Sequence, residues 1–242
     1  MTVQFDKKAQ KHLETRNTLF DGCKYEGQKV KDMVVENTTV NFARPYIATY
    51  HYSQSMPDST RFVFAGYLGN ALAGIITYGM GSNHSQYAYL IPDIEKGEYL
   101  EITRIWSPDD MPKNTESKLI AESLKMLPKK VRLIVTFADE MQNHQGYIYQ
   151  ASNFYYCGMT EGGNMMVDKE GNVKHPKSIN IYKMRHSELN GKTSKEIMNI
   201  YGWKYIEGGR KHRYCMLRGN KTIKRVMYEQ IKDKIKPYPK GE

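Results

Sequence analysis

The chain has 242 residues, 40% hydrophobic and 26% charged, the balance of an ordinary globular protein long enough to bury a sizeable core. No run approaches the roughly 18 apolar residues that a membrane span needs, and charged Met1 to Arg16 lacks the apolar centre of a secretion signal. Three widely spaced cysteines (Cys23, Cys157, Cys215) argue against a disulfide framework or a cysteine-only zinc site, and the net charge of +10 points to a polyanionic partner, nucleic acid first and an anionic membrane surface second.

In chain order, residues 5–36 form a charged, helical-looking segment broken at Asp21-Gly22 and Gly27, with no readable role. Asn41 to His51 predicts a helix that begins near Ala43 with Pro45 in its first turn, delivering His51, Tyr52 and Ser53 at its end. Phe62 to Tyr67 and Leu72 to Tyr78 are apolar or alternating runs joined by Leu68-Gly69-Asn70-Ala71, a hairpin signal. Gly79 to Lys96 is a long, polar, tyrosine-containing connection, which reads as a substrate-facing loop.

The next stretch organises the chain. Glu98 to Trp106 predicts a strand, with turn residues from Ser107 to Lys113. Asn114 to Leu127 predicts a helix, since Ile120, Leu124 and Leu127 recur at helical spacing and Pro128 stops it. Val131 to Asp139 is almost wholly apolar, as a strand buried on both faces should be. Two strands joined by a helix of this length predict a parallel βαβ unit. Asp139 and the strand end near Arg104 then reach the carboxyl edge where open sheets hold ligands. Gly146 to Phe154 predicts another helix, carried on to Tyr156.

Beyond it, Met159 to Pro176 reads as a loop, Ser178 to Met184 and Tyr214 to Leu217 as the strands that finish the sheet, Thr193 to Tyr201 as an amphipathic helix and Lys221 to Ile235 as a basic one. Residues 187–242 hold 14 basic and 6 acidic side chains, so +8 of the +10 lies there. Trp203, Tyr205, Tyr214 and Tyr228 interleave with those cations, a pattern suited to nucleic acid. A solvated lysine-rich tail is the plain alternative. These features divide the chain into an α/β domain over residues 1–186 and a basic C-terminal extension over 187–242.

Several motifs carry a family resemblance. Ile148-Tyr149-Gln150-Ala151-Ser152-Asn153-Phe154 resembles the signature that closes the core of GNAT-type N-acyltransferases. His51-Tyr52-Ser53, Thr103-Arg104-Ile105-Trp106, Pro112-Lys113-Asn114-Thr115-Glu116-Ser117, Phe137-Ala138-Asp139, Gly146 to Ala151, Lys211-His212-Arg213-Tyr214 and Lys236-Pro237-Tyr238-Pro239-Lys240 resemble, in one order, the Mom proteins of bacteriophages, relatives of that fold. The resemblance implies a GNAT-like α/β (α+β) domain, a mixed central sheet flanked by helices. It implies an enzyme of the infected host's cytoplasm that adds a carbamoylmethyl-type group to the exocyclic amine of adenine in double-stranded DNA, protecting phage DNA from restriction. The alternatives are a small-molecule N-acyltransferase using acetyl-coenzyme A and a non-catalytic DNA-binding protein on the same fold.

Each candidate residue has a plain reading beside the functional one. Arg104 either pairs with a carboxylate such as Glu101 or Glu116 or contacts a ligand, because a buried guanidinium needs a partner. Ser117 caps the 114–127 helix or contacts a phosphate. Tyr149 is a core aromatic or, by resemblance, the proton donor to a leaving thiolate. His51, Tyr52 and Asp139 are an N/O set suited to iron or another first-row metal, or act as acid and base; Asp139 is otherwise a cap. Lys113, Arg210, Lys211, Arg213, Lys221, Lys224 and Arg225 are the expected phosphate contacts. Acetyl-coenzyme A users of this fold carry a glycine-rich pyrophosphate loop, whereas Met111 to Ser117 contains no glycine. That departure argues against acetyl-coenzyme A and leaves the group donor open, as it leaves open a homodimer.

Overall fold

A computed structural model describes residues 28–81, 83–174 and 178–240; the helical-looking segment expected over 5–36 lies outside these up to residue 27, as does Cys23, and its described end is corrected to a strand from Val34. The chain divides into two compact units. The first comprises Met1–Phe137, Gly146–Gly158 and Arg213–Glu242, and the second Ala138–Gln145 and Met159–His212. Within the basic stretch, the strand Lys211–Leu217 enters the main sheet, as expected for Tyr214 to Leu217.

In the first unit, β1 (Val34–Thr38) leads to helix α1 (Val40–Tyr50). The helix starts three residues before the expected Ala43, because Thr39 accepts a bond from the Phe42 amide at 3.1 Å and caps it there. Strands β2 (Thr60–Leu68) and β3 (Ala71–Gly79) make the expected hairpin about Gly69-Asn70, with Gly69 at positive φ. The 79–96 connection is not an open loop. It contains a short helix, α2 (Ser85–Ala88), and buries Tyr87, Leu90, Ile91 and Ile94 in the core.

Strand β4 (Tyr99–Trp106), helix α3 (Thr115–Met126) and strand β5 (Leu133–Asp139) form the predicted unit, and β4 and β5 run parallel. Helix α3 buries Leu119, Ile120 and Leu124. Its carboxyl end is closed by Arg218, whose guanidinium donates to the carbonyls of Leu124, Leu127, Pro128 and Val131 at 2.8, 3.2, 3.3 and 2.7 Å. Helix α4 (Tyr147–Ala151) is shorter than the expected 146–156 segment, and Tyr155 and Tyr156 fall on β6 (Tyr155–Met159). The turn is made by Asn153 at positive φ, which ends helical winding.

The second unit contains β7 (Asn164–Val167), β8 (Val173–Lys174), helices α5 (Ser178–Arg185) and α6 (Ser194–Tyr201), and β9 (Lys204–Glu207). Two expectations fail here: 159–176 is no plain loop, and 178–184 is a helix rather than a strand. Met166, Ile179, Leu189, Ile197, Met198 and Trp203 form a small core of this unit, and the strands pair antiparallel as β8-β7-β9.

Strand β10 (Lys211–Leu217) and helix α7 (Lys221–Ile231) complete the chain's regular elements. The main sheet has the order β1-β2-β3-β4-β5-β10-β6, antiparallel from β1 through β4. Helix α1 packs Phe42, Tyr46 and Ile47 with Val63, Ile75 and Trp106. Met227 and Ile231 of α7 pack with Leu133, Val135, Cys157 and Cys215. Among the described residues no helix is long and apolar enough to cross a membrane.

Candidate functional site

Strand β4 is paired along much of its length to β3, but its parallel ladder with β5 covers only Tyr99↔Leu133, Leu100↔Ile134 and Glu101↔Val135. Both strands run on past that point with no further ladder pair between them, and there the Thr136 hydroxyl of β5 donates to the Ile102 carbonyl of β4 at 3.4 Å. The side chains of interest gather at this end of the ladder.

A bulge aims them. The β3–β4 register runs Gly79↔Glu101, Tyr78↔Ile102 and then Thr77↔Arg104, so Thr103 is the extra residue. Its Oγ1 lies 2.8 Å from that of Thr77. Strand alternation puts residues three apart on opposite faces; one inserted residue reverses that parity and turns Arg104 toward the side of Glu101. The two are close enough for the Glu101 carboxylate to act on the arginine electrostatically.

Arg104 donates from Nε to the Ser55 carbonyl at 2.8 Å, from Nη1 to the Thr103 carbonyl at 2.5 Å and from Nη2 to Ser55 Oγ at 3.3 Å. It thus ties the loop after α1 to the central strand. That loop carries Tyr52, which is 53% exposed and stacks on His51 with ring centroids 4.4 Å apart. Burial lowers the pKa of Arg104, with Tyr52 and Glu101 opposing the shift.

Glu101 is the residue that sequence reading passed over except as a possible salt-bridge partner. Its Oε2 accepts a bond from the Tyr87 hydroxyl at 2.8 Å. Burial, then the Glu101 charge, pushes the Tyr87 hydroxyl far above its ordinary range, so it remains a donor. The Gly81 backbone also hydrogen-bonds that hydroxyl. A Cβ on Gly81 would run into both Tyr87 Oη and Glu101 Oε2, so glycine is needed for the close approach. Tyr87 stacks on Tyr99 at 3.9 Å, and the Tyr99 hydroxyl lies 3.0 Å from His84 Nδ1.

Tyr149 belongs to the same group. It is buried, its hydroxyl bonds Thr136 of β5, and it lies in electrostatic range of Tyr52 and Glu101. Burial is the main cause that pushes its pKa up to about 12, which keeps the phenol protonated at neutral pH. Gly146, at φ +77°, starts α4 where a Cβ would press on Tyr214 and Tyr149. Ser117 is half-buried in the first turn of α3, the helix that packs near α4.

The other expected residues are placed differently. Asp139 ends β5, and its Oδ1 caps the following turn by accepting from the Met141 amide at 3.0 Å; Lys211 Nζ stands 3.8 Å from Oδ2. Arg210 makes a forked pair with Glu140 at 3.0 and 3.2 Å. These four belong to the second unit. Arg213 does not meet the expectation of an exposed phosphate contact. It is only 8% exposed, lies over the Tyr89 ring at 4.7 Å and donates to Gln86 at 2.9 Å. Lys113, Lys221, Lys224 and Arg225 are exposed.

Two of the expected metal ligands, His51 and Asp139, carry structural contacts. His51 Nδ1 accepts the Ser53 amide at 3.1 Å, an arrangement that puts the proton of the neutral ring on Nε2. Asp139 is occupied as a cap in the second unit. Among the described residues no three His, Cys, Asp or Glu side chains gather as a metal-holding group. A coenzyme pyrophosphate fits poorly: the start of α3 has no glycine, holds Asn114 at φ +72° without a side-chain cap, and carries Glu116 in its first turn, where a carboxylate opposes a phosphate.

The sequence model of the Mom protein family matches residues 32–240. The chain is 29% identical over 227 residues, 89% of each chain, to the methylcarbamoylase mom of Escherichia phage Mu. Similar solved structures include a GNAT family acetyltransferase from Elizabethkingia anophelis with acetyl-CoA bound (12% identity, 77% of this chain and 99% of that one, TM-score 0.43). Another is a probable acetyltransferase from Staphylococcus epidermidis ATCC 12228 (8% identity, 77% and 99% covered, TM-score 0.44).

Proposed function

The chain belongs to the Mom protein family, and on that premise we propose that it is a transferase acting on DNA. In this reading it adds a carbamoylmethyl-type group to the exocyclic amine of adenine in double-stranded DNA. The product shields a bacteriophage genome from host restriction nucleases, and the protein works in the cytoplasm of the infected cell. The name of the phage Mu relative, a methylcarbamoylase, supports the nature of the group.

One observation carries the reading: Glu101, Arg104, Tyr52 and Tyr149 converge where the β4–β5 ladder ends. The exocyclic amine of adenine is a weak nucleophile and must lose a proton as it attacks. Glu101, held by Tyr87, is the group suited to accept it. Tyr149, kept protonated by burial, is suited to give a proton to the leaving group. An amide-bearing donor would lie alongside the end of the β4–β5 ladder, near Thr136 and Arg104. Arg104 and Ser117 shape that donor's site, and Tyr52 lines its mouth. Lys113, Lys221, Lys224 and Arg225 contact DNA phosphates, with Arg210 and Lys211 in a lesser part because they also face Glu140 and Asp139.

The test is co-expression of the full chain with a plasmid, nuclease digestion and mass spectrometry of the nucleosides. A modified deoxyadenosine peak is expected, together with steeply salt-dependent binding to duplex DNA. Unmodified adenine throughout would defeat the reading. Tight acetyl-coenzyme A binding without DNA affinity would favour a small-molecule acyltransferase instead.

A further inference from the structure

Helix α7 carries Lys221, Lys224, Arg225 and Tyr228 at spacings of three, four and seven residues, so they share one exposed face. None of the three cations makes an ion pair among the described residues, whereas Lys232 on the next turn is held by Glu229 at 2.7 Å. Beside this face lies a groove of about 400 Å³ lined by Asn153, Tyr155, Met216, Leu217, Lys224, Arg225 and Tyr228. The rings of Tyr155 and Tyr228 stand 5.7 Å apart at 54°, and Tyr228 is 39% exposed. The tilt leaves no parallel slot between the rings, so a planar group would stack on one of them. Asn153, exposed on the turn before β6, puts an amide at the groove's edge.

Another groove of this unit makes a useful contrast. It is lined by Ile91, Asp93, Ile94, Glu98, Arg132 and Met227 among others, and its arginine contacts Glu98. Carboxylates and an engaged cation offer nothing to an anion. The α7 groove instead combines two uncommitted cations, an exposed aromatic ring and an amide within the space of one nucleotide. Contact with duplex phosphates alone would need only the cations, because bases stacked in a helix do not show their faces.

We propose that the groove between α7 and the β6–β10 edge binds one unpaired nucleotide of a DNA strand, with its phosphate on Lys224 and Arg225 and its base stacked on Tyr228. This rests on the DNA-modifying reading and adds a second contact to it. Strand β6 lies three strands from β4 in the sheet order, roughly 14 Å at about 4.8 Å per strand, so the groove is distinct from the Glu101 site. It serves to hold a strand opened near the target, which the enzyme requires if adenine is to leave the base stack.

The experiment is fluorescence anisotropy of the full chain with a labelled 12-nucleotide oligothymidine and with a labelled hairpin duplex, each at two salt concentrations. Tyr228→Leu keeps every charge and is expected to weaken oligothymidine binding about tenfold or more, while duplex affinity changes less than twofold. Tyr228→Phe keeps the ring and is expected to bind like wild type. The Lys224→Gln, Arg225→Gln double variant is expected to weaken both ligands and lower the salt slope by about two. Wild-type affinity of Tyr228→Leu for oligothymidine, or equal losses on both ligands, would overturn the proposal while leaving DNA modification standing. Absence of wild-type binding to either ligand would overturn both.

Discussion

Replacing Arg104 by methionine tests whether this residue organises the site or only supports the fold. The side chain keeps its length and loses its charge. Three bonds disappear: those to the Ser55 carbonyl at 2.8 Å, the Thr103 carbonyl at 2.5 Å and Ser55 Oγ at 3.3 Å. Ser55 is exposed, so water replaces the guanidinium there, and the 3.3 Å contact was weak. The remaining cost is about 2 kcal/mol, or a fall in Tm of about 4–8 °C for a protein of this size. A protein with roughly 10 kcal/mol of stability stays folded after such a loss. Activity should fall much further, because the loop bearing Tyr52 loses its tether to β4, and a displacement of about 1 Å at a reaction site costs on the order of a hundredfold. Arg104→Lys retains the charge but not the fork and should fall between the two. The assays are calorimetric Tm and the yield of modified deoxyadenosine from co-expressed plasmid. Wild-type yield from the methionine variant would refute the tether; a drop in Tm above about 15 °C would show that the estimate from these bonds is wrong.

Glu101→Gln leaves an acceptor for Tyr87 but no base, and should reduce the modification rate about a hundredfold with Tm nearly unchanged, measured by single-turnover nucleoside analysis. Tyr149→Phe should lower the rate at least tenfold; it should also reduce alkaline destabilisation. The sign is fixed by the raised pKa: the folded phenol stays neutral while the unfolded one ionises from pH 10, so stability is lost between pH 10 and about 12, and less so without the hydroxyl, as thermal melts against pH would show. Gly81→Ala should disturb the Tyr87–Glu101 pair and lower both Tm and rate, since its Cβ would collide with both groups. Arg218→Met uncaps the carboxyl end of α3 and should cost about 3 kcal/mol, seen as a Tm lower by about 6–12 °C, without altering the rate per folded molecule.

Much of the frame was legible because its signals are local. The 60–79 hairpin shows in a Gly-Asn turn between apolar runs, and the parallel β4–α3–β5 unit in a continuous apolar strand after a helix stopped by proline. The failures have non-local causes. The apolar residues that turn 79–96 from a loop into packed core, Tyr87, Leu90, Ile91 and Ile94, are too irregularly spaced to declare an element. Ser178 to Arg185 alternates no better as a helix than as a strand; it is settled by burial of Ile179 with Trp203 and Met198 in the small core. Tyr214 to Leu217 was legible as a strand of the sheet, but its place between β5 and β6 rests on a pairing that no local pattern announces.

Glu101 was the costliest omission, and its cause is geometrical. Read as a plain strand, Glu98 to Trp106 places Glu101 and Arg104 on opposite faces, and alternation by itself then keeps the glutamate, otherwise a possible ion-pair partner of Arg104, out of the arginine's site. The bulge at Thr103 cancels that exclusion, because one residue without a cross-strand partner returns Arg104 to the glutamate's side. Nothing in Glu-Ile-Thr-Arg spells this out; the extra residue is absorbed by the match of β4 to β3 and pinned by the Thr77–Thr103 contact. The consequence reaches the chemistry. With the buried tyrosines held neutral, an acceptor of protons and a fixed cation stand a few residues apart at the end of the β4–β5 ladder. Removal of Thr103 should therefore separate those charges although Glu101 and Arg104 both remain in the chain, and the yield of modified deoxyadenosine from co-expressed plasmid should fall.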